Sequence, residues 1–303
     1  MKPEGILIRY GEIGLKGRST RQRFEGQLKR NIKKALNAWD IEFSISLIRG
    51  RIMVMTEDIE NAVTQLIHVF GITSLSPAYL ILTDLSKIKT HALYLVKKHN
   101  VHNPSFALRV TRIGDHSFTS QDVAIDVGSY IQEKTNFPVD LTNPACELFI
   151  EIRDDMTMMF LEKIQGPGGM PIGTQGRVLS LIDDAIDLLA AWYLLKRGCD
   201  MVFIYSDKDI KHRFDTFFSK WNIPKYLRFI ERDDDYWKHV HLIISEQQCQ
   251  AICYGFFFGR DEDEVMEHIA FLKQQVDIPI LTPLISFEKE KIEALCKEKE
   301  ITK

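Results

Sequence analysis

At 303 residues, 45% hydrophobic and 27% charged, the chain can fill two or three domains with cores of their own, and its composition excludes a disordered or fibrous protein. No apolar run approaches the roughly 18 residues of a membrane span, and the start MKPEGILIRYGEIG is too charged for a signal peptide, so no membrane partner and a cytoplasmic location are expected. The net charge of −3 decides nothing about nucleic acid, because the sign of the charge changes along the chain.

The front is basic. From Arg9 to Lys34 the cationic residues are Arg9, Lys16, Arg18, Arg21, Arg23, Lys29, Arg30, Lys33 and Lys34, against Glu12 and Glu25. Phe24, Leu28, Ile32, Leu36 and Trp39 recur at spacings of four and three, which predicts one apolar stripe on a helix. Ser19 with Gln22 three residues on predicts a capping box at its start, beside the loop GEIGLKGR. The cations of this segment lie off the stripe, toward solvent. An ordinary solvated face would account for them, but acidic partners at i+4 are nearly absent and a phosphate-rich partner explains them better.

ILIRY, FSISLI and RIMVMT predict strands around that helix, with RGR as a hairpin turn, and this first unit spans 1–57. The second, 58–165, alternates: helix IENAVTQLIHVFG, strand SLSPAYLIL, helix LSKIKTHALYLVKKH, strand SFALRV, helix SQDVAIDVGSYIQEKT, then strands VDLT, CELFIEI and MTMMFLEKI. QGPGGMPIGTQG is a loop by composition and marks a boundary. The third unit, 176–303, strings short apolar runs (RVLSL, DMVFIY, YLRFI, HVHLII, AICYGFFF, IPILTPLI) between helical patterns such as DEDEVMEHIAFLKQQV. That alternation predicts an α/β fold with a mostly parallel sheet.

Ligands of such sheets bind beyond the carboxyl ends of the strands, so the turn after RVLSL is the expected pocket. There the sequence VLSLIDDAIDLLAAW sets Asp183, Asp184 and Asp187 at the start of a helix. Three carboxylates suit the helix, whose dipole and free N–H groups they complement, and repel phosphate. Cys146, Cys199, Cys249, Cys253 and Cys296 are odd in number, form no C-x-x-C pair, and read as buried free thiols of a reducing compartment. His239 and His241 would share one face of a strand, but no carboxylate or cysteine stands at ligand spacing beside them; His91, His99 and His102 form no ligand motif, and no metal is assigned. ERDDDYW reads as a solvated acidic loop.

Three stretches together resemble the tRNA 4-thiouridine synthetase (ThiI) family. ILIRYGEIGLKGRSTRQRFEGQLKRNIKKAL is similar to that family's N-terminal ferredoxin-like domain. FALRVTRIGDHSFTSQDVAIDVGSYI with VDLTNPACELFIEI resembles the THUMP domain, an RNA-binding module. QGPGGMPIGTQGRVLSL and DIPILTPLISFEKEKIEAL resemble parts of a PP-loop ATP pyrophosphatase (adenine nucleotide alpha hydrolase-like) domain. The resemblance implies binding of tRNA, including its single-stranded acceptor end. On that reading Lys16, Arg18, Arg21, Arg23, Lys29, Arg30, Lys33 and Lys34 contact phosphates, and Arg109, Arg112 and His116 add contacts from the THUMP-like region. "RVTR" could equally be the solvent face of a strand end.

The family's chemistry is adenylation of a uridine oxygen by ATP and delivery of sulfur from a cysteine persulfide. Its phosphate loop reads S-G-G-x-D-S, since glycines let the backbone approach the pyrophosphate. Aligned backward from KRG, those positions are Ile182, Asp183, Asp184, Ala185, Ile186 and Asp187; both glycines and both serines are replaced. YGFFFGRDEDEVMEH likewise puts Phe256, Phe257 and Phe258 where the family has small and polar residues. The family's sulfur-carrying cysteine would follow KEKEITK, and Cys249 and Cys253 look like core thiols.

The leading expectation is therefore a tRNA-binding member with no cofactor, no assigned catalytic residue and a degenerate ATP loop at Ile182, Asp183, Asp184 and Asp187. The alternative is an active tRNA sulfurtransferase with a divergent ATP site, Mg²⁺ bridging the aspartates to phosphates, and a partner protein supplying sulfur. A THUMP-linked RNA methyltransferase comes last, because the third unit has no glycine-rich S-adenosylmethionine loop. A symmetric homodimer fits the geometry that the resemblance implies.

Overall fold

The computed structural model describes residues 2–99, 104–207, 216–223, 226–257 and 262–301. Two units emerge: residues 1–10, 36–67 and 73–166 form the first, and residues 11–35, 68–72 and 167–303 the second. Among the described residues no helix is long and apolar enough to cross a membrane.

The first unit is built on an eight-stranded sheet with β2 (Ser44–Ile48), β3 (Arg51–Met55), β1 (Gly5–Arg9), β4 (Ser74–Leu82), β7 (Met156–Phe160), β6 (Cys146–Arg153) and β5 (Phe106–Ile113) in spatial order, and β8 (Ile164–Gln165) added to β4. β4 joins the two halves: Ser74 to Ala78 pair with β1 and Tyr79 to Leu82 pair with β7. Arg49 and Gly50 turn the β2–β3 hairpin with φ of 30° and 76°, the left-handed pair that a two-residue hairpin needs. Strand alternation sorts the sheet into two faces. One carries Tyr79, Ile81, Leu148, Ile150, Ile152 and Met159, buried beneath Ile88, Ala92 and Leu95 of α3 (Leu85–His99) and Val123, Val127 and Ile131 of α4 (Ser120–Thr135). The other carries Leu7, Met53, Ala78, Met158 and Phe160 in a smaller cluster. α2 (Ile59–Leu66) completes this unit.

The second unit has a parallel sheet in the order β11 (Leu227–Phe229), β10 (Asp200–Tyr205), β9 (Arg177–Ile182), β12 (Ala251–Cys253), β13 (Ile280–Leu281). Alternate residues of β10 serve two cores: Met201, Phe203 and Tyr205 meet α5 (Ala185–Lys196), while Val202 and Ile204 meet α6 (Tyr236–Glu246) and α7 (Glu262–Gln275). α8 (Lys289–Glu298) adds Ile292 to the first of these cores. Phe70 stacks on Trp221 with ring centroids 5.3 Å apart.

Several sequence expectations are corrected. The basic helix α1 (Arg18–Asn37) starts at Arg18, with the Arg21 N–H donating to Gly17 O at 2.8 Å, so Ser19 lies inside its first turn and makes no capping box with Gln22. Phe24, Leu28, Ile32 and Leu36 are buried as expected, but Trp39 is 59% exposed. The helix has ended, Asp40 turns with φ 51°, and Ile41 is buried instead. VDLT is a turn with a single bridge from Val139 to Phe106, because the Asp140 carboxylate takes the N–H groups of Thr142 and Asn143, each at 2.9 Å. The strand in MTMMFLEKI breaks after Phe160. AICYGFFF stops pairing after Cys253 and IPILTPLI after Leu281.

HVHLII is helix, not strand. Tyr236 and Val240 bury one face of α6 in the core, with Ile243 and Ile244 packed beside them, a 3.6-residue recurrence. His239 and His241, two apart, therefore do not share a face. The acidic run before it is more than a solvated loop, since its Arg232 pairs with Asp183. Cys146, Cys249 and Cys253 are buried and all five cysteines are free thiols, Cys199 and Cys296 being half-buried. His91 takes the Lys87 carbonyl of its own helix at 2.9 Å; His102 and Phe258 lie outside the described residues.

Candidate functional site

The chain leaves β9 at the centre of the second sheet, runs through α5 to β10 on one side, and later returns to β12 on the other. The carboxyl ends of β9 and β12 thus flank the topological switch point, where open α/β sheets bind ligands. Asp183, Asp184 and Asp187 stand on the β9 side, Tyr254 and Gly255 on the β12 side.

Each carboxylate is engaged. Asp184 caps α5, its Oδ1 accepting from Ile186 N at 2.7 Å and Asp187 N at 3.2 Å. Asp187 closes the reciprocal half of the capping box, its Oδ2 accepting from Asp183 N at 2.9 Å and Asp184 N at 3.1 Å. Its other oxygen, Oδ1, accepts from Gly255 N at 2.8 Å. Asp183 accepts from Tyr254 OH at 2.8 Å and from Arg232. Burial and the charge of Asp184 push the Asp187 carboxyl up to about 7, against the pull of its N–H donors. Burial and the neighbouring aspartates raise the Tyr254 phenol, so it remains a donor to Asp183. Ile182, the first position of the expected loop, is buried in the core.

Gly255 is dictated by this packing. A Cβ there would lie 2.8 Å from Asp187 N and from Asp187 Oδ1, closer than real Cβ atoms come to any neighbour. No sequence pattern singles out Gly255, Tyr254 and Arg232, although a Y-G pair at a strand end is a signal for a close backbone approach. Phe256 and Phe257 are each 2% exposed and enter the cores on opposite faces of the sheet.

The expected RNA contacts fall into two groups. On α1, and on the loop before it, Lys16, Arg18, Arg21, Arg23, Arg30, Lys33 and Lys34 are exposed and Lys29 is half-buried. Arg21 approaches Glu25 at 3.9 Å, and Arg30 is held by Gln27 Oε1 at 2.6 Å. The same helix donates Asn31 Nδ2 to Ile172 O at 3.1 Å, within the second unit.

In the first unit the arginines of β5 have protein partners. Arg109 binds Glu147 at 2.6 Å and donates to Leu141 O at 2.8 Å. Arg112 Nη1 donates to Gly114 O at 2.8 Å and faces His116 Nδ1 at 3.2 Å, while His116 Nε2 meets Asp154 O at 2.7 Å. The carbonyl requires the His116 proton on Nε2, so Nδ1 is the acceptor of the Arg112 bond. Arg112 and His116 thus form one unit; Arg109 stands apart from it, tied to Glu147.

Comparison with known proteins fits this architecture. The ThiI ferredoxin-like domain matches residues 5–76, the THUMP domain 83–162, and the family described as thiamine biosynthesis protein (ThiI) 224–302. A probable tRNA sulfurtransferase of Methanothermobacter thermautotrophicus is 33% identical, covering 96% of this chain and 83% of the relative. One from Methanobrevibacter smithii is 31% identical, covering 98% and 87%. The crystal structure of PH1313 from Pyrococcus horikoshii superposes with a TM-score of 0.86 at 30% identity, covering 97% of this chain and 99% of that one. A 4-thiouridine synthetase solved as an RNA complex with bound ATP shares the fold, with a TM-score of 0.79 at 20% identity over 99% and 86% of the two chains. The α/β fold, with its ferredoxin-like, THUMP and parallel-sheet regions, is the one expected from the sequence, and the chain belongs to the tRNA sulfurtransferase (ThiI) family.

Proposed function

We propose that this protein binds tRNA through the basic face of α1 and the Arg109, Arg112 and His116 region of its THUMP domain, and that its β9–α5 turn does not take ATP. The observation that carries the second half is the occupancy of the turn. The backbone N–H groups of Asp183, Asp184, Ile186 and Asp187, the donors a phosphate would use, already bind carboxylates of the same turn. A triphosphate entering there would meet negative charge and find its donors taken. The RNA half rests on the exposed cations of α1 and on the matched THUMP domain. The 4-thiouridine synthetase of the same fold was captured with RNA.

The names of the relatives favour a second reading, an active tRNA sulfurtransferase. It requires the aspartates to release the turn and hold Mg²⁺ against phosphates, with a partner protein supplying sulfur. Titration calorimetry separates the two. The first reading expects affinity for full-length tRNA, weakened when the acceptor end is removed, and no heat of ATP binding at millimolar concentration with or without tRNA. Saturable ATP binding or tRNA-stimulated ATP–pyrophosphate exchange establishes the second.

A further inference from the structure

The parallel sheet of the second unit opens at its carboxyl edge on the α6–α7 face, the face turned away from α5. A cavity of about 250 Å³ lies there, with Leu181 of β9 and Leu272 of α7 in its lining. Both leucines are buried members of the core on that face. Packed interiors leave few voids larger than a water molecule, so a space of this size at a strand end is a pocket.

Four aromatic rings line it in a continuous arc. Tyr254, just past β12, meets His268 with ring centroids 5.1 Å apart; His268 meets Phe271 at 6.4 Å, and Phe271 meets Trp237 at 6.0 Å. The arc runs from the buried strand end to the surface, where Phe271 is 45% exposed. These contacts are edge-on or tilted. An edge-on contact covers one face of one ring, so negatively polarised ring faces remain for a ligand.

The charges of the lining decide the sign of that ligand. Arg232 is the one arginine or lysine among the described lining residues, and its guanidinium is already paired with Asp183. The Tyr254 hydroxyl is committed to Asp183 as well, at 2.8 Å. Asp233, by contrast, has no cation partner among the described residues; its Oδ1 accepts only the N–H of Asp235, at 3.0 Å. An anion entering the cavity must draw Arg232 from Asp183 against the charge of Asp233, whereas a cation finds a carboxylate without a counter-ion and open ring faces. The cavity already holds one cation in this way, since the Arg232 guanidinium lies 5.7 Å from the centroid of the Tyr236 ring.

We propose that this cavity binds a small organic cation, an ammonium group carried on an apolar or aromatic body. The charge sits against Asp233 and the ring faces of Trp237 and Phe271, and the body lies on Leu181 and Leu272. A few placed polar groups in an otherwise apolar cleft are the usual make-up of a small-molecule site, and a desolvated ammonium on aromatic faces is the contact such a site supplies. The site uses none of the N–H groups of the β9–α5 turn. It therefore holds under either reading of that turn, and RNA, an anion, is not its ligand.

The test is titration calorimetry of the full chain with three probes of one shape and different charge: benzylammonium, benzyl alcohol and benzoate. Benzylammonium is expected to bind with a Kd of about 1 mM, about tenfold more tightly than benzyl alcohol, and benzoate to give no heat in the same range. Asp233→Asn keeps an acceptor for the Asp235 N–H and removes the charge, so it should bring benzylammonium to the level of benzyl alcohol. Phe271→Ala, at an exposed position, should weaken both by about fivefold. Thermal unfolding shows that each variant is folded before it is titrated. A wild-type Kd for benzylammonium above about 10 mM overturns the inference. So does equal affinity for benzylammonium and benzyl alcohol, which describes an apolar cleft alone, and so does a preference for benzoate, which assigns the cavity to Arg232. Benzylammonium binding that neither variant changes places the cation elsewhere and overturns it as well.

Discussion

The Asp187 carboxylate accepts the N–H of Gly255 at 2.8 Å and so ties the end of β9 to the end of β12 across the switch point. Both groups are buried, and the packing leaves no room for a side chain at position 255. Gly255→Ala is therefore expected to destabilise the second unit by about 1–3 kcal/mol, as overpacking does. Urea denaturation followed by tryptophan fluorescence reads the change.

The raised Asp187 carboxyl gives this hydrogen bond a pH dependence. Its folded pKa of about 7 lies above the ordinary 3.8, so the folded state binds the proton more tightly than the unfolded one. The resulting stabilisation is complete below the unfolded value and is lost as pH rises through about 7. Asp187→Asn cannot titrate. The stability of the wild type relative to Asp187→Asn should fall between pH 5 and pH 8; a constant difference across that range refutes the assignment.

Asp184 and Tyr254 can be removed singly. Asp184→Ala deletes the cap of α5 and should cost about 1 kcal/mol. Tyr254→Phe deletes one bond to Asp183 and should cost a similar amount, about 1 kcal/mol. On the proposed reading neither change should produce ATP binding, because Asp187 still holds the N–H groups of Asp183 and Asp184. Calorimetry on the two variants checks both statements.

Glu151 is costly to remove, because it is the acceptor of Arg9, Arg51 and Arg153. Burial alone would raise its pKa, but Arg51, Arg9 and Arg153 hold it below the ordinary carboxylate value. Its contribution is thus present above the unfolded pKa of 4.5 and disappears as pH falls through the depressed one. Glu151→Ala leaves buried arginines without a counter-ion and should cost about 3–5 kcal/mol. A denaturation midpoint close to that of the wild type would contradict this.

For α1, charge reversal at Lys33 and Lys34 is expected to weaken tRNA binding and to lower the log–log dependence of affinity on salt by about one unit for each phosphate no longer neutralised. Both residues are exposed. Filter binding across a salt series gives the slope directly. An unchanged slope would place the RNA on another surface.

Much of this architecture is legible in the sequence because it depends on neighbours a few residues apart. The apolar stripe Phe24, Leu28, Ile32 and Leu36, the helices α3 and α4, and the strands β4, β9 and β10 follow from local periodicity. HVHLII misleads because a short apolar run fits both periods. The three aspartates before it, Asp233, Asp234 and Asp235, favour a helix start there.

By itself the sequence determined most of the helices and strands, the cationic α1, and the carboxylates at the β9–α5 turn. The tertiary structure decided what those charges do. Asp183 found Arg232 and Tyr254, 49 and 71 residues away; Asp187 found Gly255, 68 away; and Glu151 gathered Arg9 and Arg51 from strands 142 and 100 residues distant. Periodicity reports which side of an element is buried, whereas a partner for a buried charge is chosen by strand order in the sheet, which no local pattern encodes.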